Sequence, residues 1–208
     1  MVDPTIHPCV LVMGNGPSSW WIGKDEATAL RTALRARIIA CNLVAAEIEA
    51  DFGVAVDDSV YGDLVRAVES RHLSTVVLGS QRAMARHKAA SASAIQLRES
   101  YCGYSSGVAA FHLALELAPE SIYLCGFDGE QDRRTRHQGT PRYRSCPTRA
   151  SAFRRWSGRM LEISRESSHA RYRLTSDADE AHPLWRLPAT PVDLHAAVAS
   201  FRSGVANG

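Results

Sequence analysis

The sequence predicts an α/β fold in which a mostly parallel, doubly wound sheet carries helices on both faces. Three observations carry that expectation. Val10-Leu11-Val12-Met13 is an apolar run too short for a typical helix and unbroken by polar residues, the pattern of a parallel strand covered on both sides. Comparable short runs recur along the chain and alternate with segments of helical spacing. Each run also stops at glycine or a small polar residue, so that in a parallel sheet these stops line one edge, where open α/β folds bind ligands. The architecture expected is Rossmann-like.

The first run leads into Gly14-Asn15-Gly16-Pro17-Ser18-Ser19. The glycines permit positive φ and close backbone approach, Pro17 suits the first turn of a helix, and Ser18 or Ser19 can cap it. Strand, glycine turn and helix start would turn backbone N–H groups and a partial positive charge toward an anion, although an ordinary tight βα turn reads the same way. Asp25 to Ala36 has Ala27, Leu30, Ala33 and Leu34 at helical spacing, an amphipathic crossover helix. Arg37 to Asn42 is the second strand and ends on Asn42. Residues 43–50 read as helical, Val54 to Val56 as a third strand stopped by Asp57-Asp58, Ser59 to Glu69 as a helix, and Ser74 to Leu78 as a fourth strand stopped by Gly79-Ser80.

Between Gln81 and Ser100 the pattern weakens into a basic patch of Arg82, Arg86, His87 and Lys88, then a short strand or loop at Ser91 to Leu97. Val108 to Ala118 is apolar nearly all round, capped by serine and stopped by Pro119, as a buried helix is. Ile122 to Cys125 is a further strand, ended by Gly126-Phe127-Asp128-Gly129. Ala150 to Arg165 reads as a helix with Phe153, Trp156, Met160, Leu161 and Ile163 on its apolar face. Arg171 to Thr175 is expected as a last strand, and Val192 to Phe201 as a closing helix after a segment broken by Pro183, Pro188 and Pro191. The organisation expected is a nucleotide-binding α/β core over residues 1–130, with residues 131–208 completing the same domain.

At 208 residues and 45% hydrophobic content the chain can bury a real core, in one domain or two at most. The formal charge of +2 identifies no partner. No run approaches the roughly 18 apolar residues of a membrane span, and the N-terminus, with Asp3, Pro4 and His7, has no signal-peptide pattern, so a soluble cytoplasmic protein is expected. The five cysteines are widely spaced with no CxxC pair, which supports neither a disulfide framework nor a zinc knuckle.

Asn15, Asn42, Asp57, Ser105, Ser106 and Asp128 come from distant parts of the sequence and would project from one edge of a parallel sheet. Taken singly, each also reads as an Asx turn or a helix cap. Met13-Gly14-Asn15-Gly16-Pro17-Ser18, then Cys41-Asn42, then Ser105-Ser106-Gly107-Val108, then Ser121-Ile122-Tyr123-Leu124-Cys125-Gly126-Phe127-Asp128 resembles, in order and spacing, the bacterial sialyltransferase family. It also resembles the wider superfamily that holds the motility-associated flagellin glycosylation proteins and the archaeal hydroxymethyl-dihydropterin diphosphokinases. The likeness covers roughly residues 9–130.

The resemblance implies a glycosyltransferase that moves a sugar from a nucleotide-activated, CMP-type donor to an acceptor. It implies that Gly14, Asn15, Gly16 and Ser18 hold the nucleotide phosphate and sugar, that Asn42 approaches the donor near the phosphate, and that Ser105, Ser106 and Gly107 contact the nucleotide or donor sugar, with Asp128 among the nucleotide-binding positions. Amide and hydroxyl donors at helix starts can bind phosphate without demanding a metal, so no cofactor is obligatory and Mg²⁺ is optional.

The family's two tyrosines after the I-Y-L-x-G-x-D element are missing here: Gly129 and Glu130 follow Asp128, and the nearest tyrosine is Tyr143. His137 is the candidate general base, because a neutral imidazole can take a proton from an acceptor hydroxyl near pH 7; it also reads as a solvated loop histidine. From Arg133 to Leu161 there are nine arginines and no acidic residue. Arg133, Arg134, Arg136, Arg142 and Arg144 could clamp a leaving phosphate, so that Arg136 and Tyr143 join His137 in the catalytic set. They could equally hold an anionic acceptor, nucleic acid included, or form a solvated surface. Trp156 and His112 read as core residues. Two rival functions stay open: an Mg-ATP-dependent diphosphokinase with Asp57 and Asp128 as metal ligands, and a non-catalytic nucleotide or nucleic-acid binding module. A homo-oligomer is compatible with the sequence.

Overall fold

The computed structural model describes residues 8–87, 94–102, 105–128, 150–165, 171–175 and 189–206. Eight strands, β1 (Cys9–Met13), β2 (Ala36–Cys41), β3 (Phe52–Ala55), β4 (Val76–Gly79), β5 (Ala94–Gln96), β6 (Ser121–Cys125), β7 (Arg171–Thr175) and β8 (Ala189–Val192), form one sheet in the order β5-β4-β3-β2-β1-β6-β7-β8. Every neighbouring pair is parallel. The chain lays its first five strands outward from β1, then returns and lays β6, β7 and β8 on β1's other side. The strand order therefore reverses at the β1/β6 seam, and this is the α/β, Rossmann-like, doubly wound architecture expected.

The helices are α1 (Lys24–Ala33), α2 (Val44–Glu47), α3 (Asp58–Ser70), α4 (Gln81–His87), α5 (Glu99–Cys102), α6 (Ser106–Glu116), α7 (Ala150–Arg165) and α8 (Leu194–Ala206). Successive strand side chains point to opposite faces, which divides the core in two. Leu11, Met13, Ile38 and Ala40 pack with Leu30 of α1, Tyr61 and Leu64 of α3 and Val198 of α8. Val10, Val12, Ile39 and Cys41 pack with Phe111 of α6 and with Met160 and Ile163 of α7. Burial on both faces is why β1 reads as an unbroken apolar run and β2 as one interrupted only by the half-buried Arg37. Among the described residues no helix is long and apolar enough to cross a membrane.

The bounds of α7 and β7 coincide with the expected ranges, and Trp156 packs against the second core. Elsewhere the structure departs from expectation. The weak stretch after β4 holds a helix, α4, in which only Ala83 is buried; its start is secured by Ser80, whose hydroxyl accepts from Ala83 N at 3.2 Å. The Pro-broken segment contains β8, which includes Pro191 and pairs with β7 alone at the sheet's margin, where a strand tolerates proline. The helical stretch at 43–50 shortens to α2.

The largest correction concerns the glycine turn. No long helix starts there: Pro17–Ser19 is a single 3-10 turn with Gly16 at its N-cap and no side-chain cap. Ser18 and Ser19 lie inside that turn: the Ser18 hydroxyl accepts from Gly126 N after β6, and the Ser19 hydroxyl donates to the carbonyls of Gly14 and Gly16 in the turn itself. Helix α1 begins only at Lys24, where the Glu26 carboxylate accepts from Gly23 N at 3.0 Å.

Candidate functional site

Pairing registers fix the sheet's C-terminal rim. Met13 lies opposite Ala40 of β2 and Cys125 of β6, so β1 and β6 end at one level, at Gly14 and Gly126, while β2 runs one residue further, through Cys41 opposite Val54, before Asn42. Helix α6 runs from this rim back toward the start of β6, which brings Ser105 and Ser106 to the same edge. Asn15, Asn42, Asp57, Ser105, Ser106 and Asp128 all stand on it.

At the ends of β2 and β3 one hydroxyl joins three elements. Ser106 Oγ accepts from Val56 N at 3.2 Å and donates to Asn42 Oδ1 at 2.9 Å. The hydroxyl thus accepts from one backbone N–H and gives its single proton to the Asn42 side-chain oxygen. Asn42 is 9% exposed and left-handed, with φ of 57°, and its backbone N–H donates to Val54 O at 2.9 Å. Its Nδ2 has no acceptor among the described residues. Ser105 Oγ caps α6 by accepting from Val108 N at 3.3 Å. The first-turn N–H groups of Ser106 and Gly107 have no intrahelical acceptor and, among the described residues, no other acceptor. A Cβ on Gly107 would lie 3.1 Å from the Phe127 ring, so glycine here lets the start of α6 approach the β6 turn.

The glycine turn is closed by comparison. Gly14 N donates to Cys125 O at 2.7 Å, and Gly16 N to Gly126 O at 2.9 Å. Ser18 N donates to the Asp128 carboxylate at 3.1 and 3.3 Å, while Ser18 Oγ accepts from Gly126 N at 2.9 Å. Ser19 Oγ lies 3.0 Å from Gly14 O and 2.8 Å from Gly16 O. Three amides expected to cradle a phosphate are therefore spent on the strand next door. The physical cause is proximity: a Cβ on Gly126, which has φ of 77°, would lie 2.6 Å from Gly14 O, and one on Gly16 would lie 2.8 Å from Gly126 O. What the turn still offers is Asn15. Among the described residues its N–H has no acceptor and its buried Oδ1 no partner, and its carbonyl accepts from Trp20 Nε1 at 3.2 Å.

Asp57 and Asp128 follow β3 and β6, strands three spacings or about 14 Å apart in the sheet. Among the described residues no group of three or more His, Cys, Asp or Glu side chains is arranged to hold a metal. Asp58 is held by Arg86 at 2.7 Å and Arg82 at 3.1 Å, which accounts for two residues of the basic patch. Partial burial, and secondarily the Asp58 carboxylate, raise the Asp57 carboxyl above its ordinary value. Burial pushes the Cys41 thiol up to about 12, which leaves it protonated and unreactive beside Asn42.

His112 lies against Tyr101, ring centroids 4.3 Å apart, away from any catalytic role. His137, Arg136 and Tyr143, together with Arg133, Arg134, Arg142, Arg144, Gly129 and Glu130, lie outside the described residues. Trp20 is the rim residue that the sequence analysis passed over, although two consecutive tryptophans directly after a glycine turn are a visible signal. No family model, curated protein or solved structure matches the chain.

Proposed function

We propose that the chain is a glycosyltransferase acting on a nucleotide-activated donor of the CMP type, with the donor phosphate at the start of α6, between Asn15 and Asn42. The observation that best supports this reading is Asn42. A left-handed asparagine at a strand end is held by its backbone and by its side-chain oxygen, which leaves Nδ2 as a fixed donor beside two undonated N–H groups of a helix start. Such a set suits a phosphate: the donors are neutral, preorganised and backed by the helix's partial positive charge. The unpartnered Asn15 Oδ1 complements it as an acceptor for a ribose hydroxyl or an amino group of the same ligand.

In this reading the donors at the rim stabilise charge that develops on the phosphate as the nucleotide departs, His137 takes the acceptor's proton, and Arg136 and Tyr143 assist the leaving group. The separation of Asp57 from Asp128 weighs against the diphosphokinase alternative, whose metal would need converging carboxylates.

A thermal-shift panel of CMP, CDP, UDP, GDP, ADP and ATP, with and without Mg²⁺, tests the reading, because a ligand bound only by the folded state raises its melting temperature. Stabilisation by a cytidine nucleotide without magnesium is expected, and a response confined to Mg-ATP would overturn the assignment. Asn42→Gly keeps the left-handed backbone and removes the amide. It is expected to melt within about 2 °C of wild type while losing roughly tenfold or more in nucleotide affinity by calorimetry.

A further inference from the structure

We infer that Tyr101 and Glu116 form a clasp that positions the start of α6: by holding α5 against the flank of α6 they keep Ser105 and Ser106 in place at the rim. The clasp does not depend on which ligand the rim takes.

The segment from Leu97 to Ser105 has both its ends at the rim. At one end Leu97 N donates to the carbonyl of Gly79, the last residue of β4, at 2.8 Å; at the other Ser105 caps α6. Between the two ends the chain is tied to the far half of α6. Arg98 Nη1 lies 2.8 Å from Glu116 Oε1, and the Tyr101 ring rests on His112 with centroids 4.3 Å apart. Tyr101 is only 4% exposed, and its hydroxyl donates to the Glu116 carboxylate. Burial first, and that hydrogen bond second, push the phenol up to about 12.

The two bonds to Glu116 are unequal. The Arg98 side chain is 74% exposed, and a surface ion pair of this kind contributes little. A hydroxyl on a buried ring that loses its carboxylate partner costs more. His112 lies two turns, or about 10 Å, along α6 from Ser105, and only three residues join Tyr101 to Ser105, a reach of at most about 14 Å. A Tyr101 that comes loose therefore frees the lead-in to the helix. With it go the cap on Val108 N and the Ser106 hydroxyl that joins Val56 to Asn42.

Amide hydrogen exchange of wild type, Y101F, E116A and R98A, in water and in low urea, tests the clasp, with melting curves to verify folding. Val56 is the reporter, because its N–H is bonded to Ser106 Oγ, and Val108 reports the cap. In Y101F and E116A exchange at both amides is expected to speed up about tenfold and to stay insensitive to low urea, the mark of a local opening. R98A should stay within about twofold of wild type. Unchanged exchange at Val56 and Val108 in Y101F and E116A would overturn the inference. So would an increase that steepens with urea, because Tyr101 and Glu116 would then stabilise the fold as a whole without positioning α6. An R98A effect as large as that of E116A would overturn it too, since the ion pair and not Tyr101 would then hold the segment.

Discussion

The turns that follow β1 and β2 leave the same rim one strand apart, and they handle their hydrogen-bond donors in opposite ways. After β1, the N–H groups of Gly14, Gly16 and Ser18 are all donated to the end of β6, and the Ser18 and Ser19 hydroxyls are drawn into the same seam. After β2, Asn42 adopts the left-handed conformation with a side chain in place and secures its oxygen on Ser106, and among the described residues its Nδ2 and the first amides of α6 have no acceptor. Glycine marks where two backbones must touch, which is a packing requirement as often as a ligand requirement. Binding capacity at this rim lies where donors are left over. That condition moves the centre of the candidate site from the glycine turn to the β2–α6 junction.

The sharpest way to break the comparison is Gly14→Ala. The added Cβ would lie well inside contact distance of Gly126 O, a backbone atom of an adjoining strand end that cannot swing aside. A loss of about 3 kcal/mol is expected, a fall in melting temperature on the order of 10 °C. A variant with unchanged melting but no nucleotide binding would mean that the turn faces a ligand after all.

Ser106→Ala acts on the open side. It strands Val56 N–H and Asn42 Oδ1 together, with an expected cost of about 1–3 kcal/mol in denaturant unfolding and weaker nucleotide binding as Asn42 loosens. Ser105→Ala, which removes only the cap, should cost about 1 kcal/mol.

Asp57→Asn has the smallest effect and a defined sign. The folded state holds the Asp57 proton to higher pH than the unfolded state does, so ionising it opposes folding. That penalty is absent below the ordinary aspartate range, where both states are protonated, and develops as pH rises through the raised folded value. The variant should therefore melt slightly higher than wild type at neutral pH and match it in strong acid, as melting curves across pH would reveal.

The strands were legible because their burial is extreme: β1 and β2 contact helices on both faces, and only Arg37, half-buried over the Phe52 ring, interrupts their apolar residues. The serine cap of α6 and the convergence of Asn42 with Ser106 follow from the same parallel topology. The elements that escaped notice are those with little to bury. Helix α4 hides only Ala83 and presents Arg82 and Arg86 to Asp58, so its periodicity is faint. Strand β8 carries a proline that would exclude it from a central position. The closure of the glycine turn was not legible at all. Gly14-Asn15-Gly16 has the same composition whether its amides meet a phosphate or the carbonyls of Cys125 and Gly126, and only the adjacency of β1 and β6 separates the two cases.

The seam between Gly14 and Gly126 excludes side chains reciprocally: a methyl on either residue would strike the carbonyl of the other. No exchange of bulk between the two positions can relieve this, as it can between a large and a small side chain in a core. The midline of the molecule is thus closed to evolutionary drift. Room for new side chains at this rim is therefore confined to the positions that border the line, Asn15 and Asn42 among them.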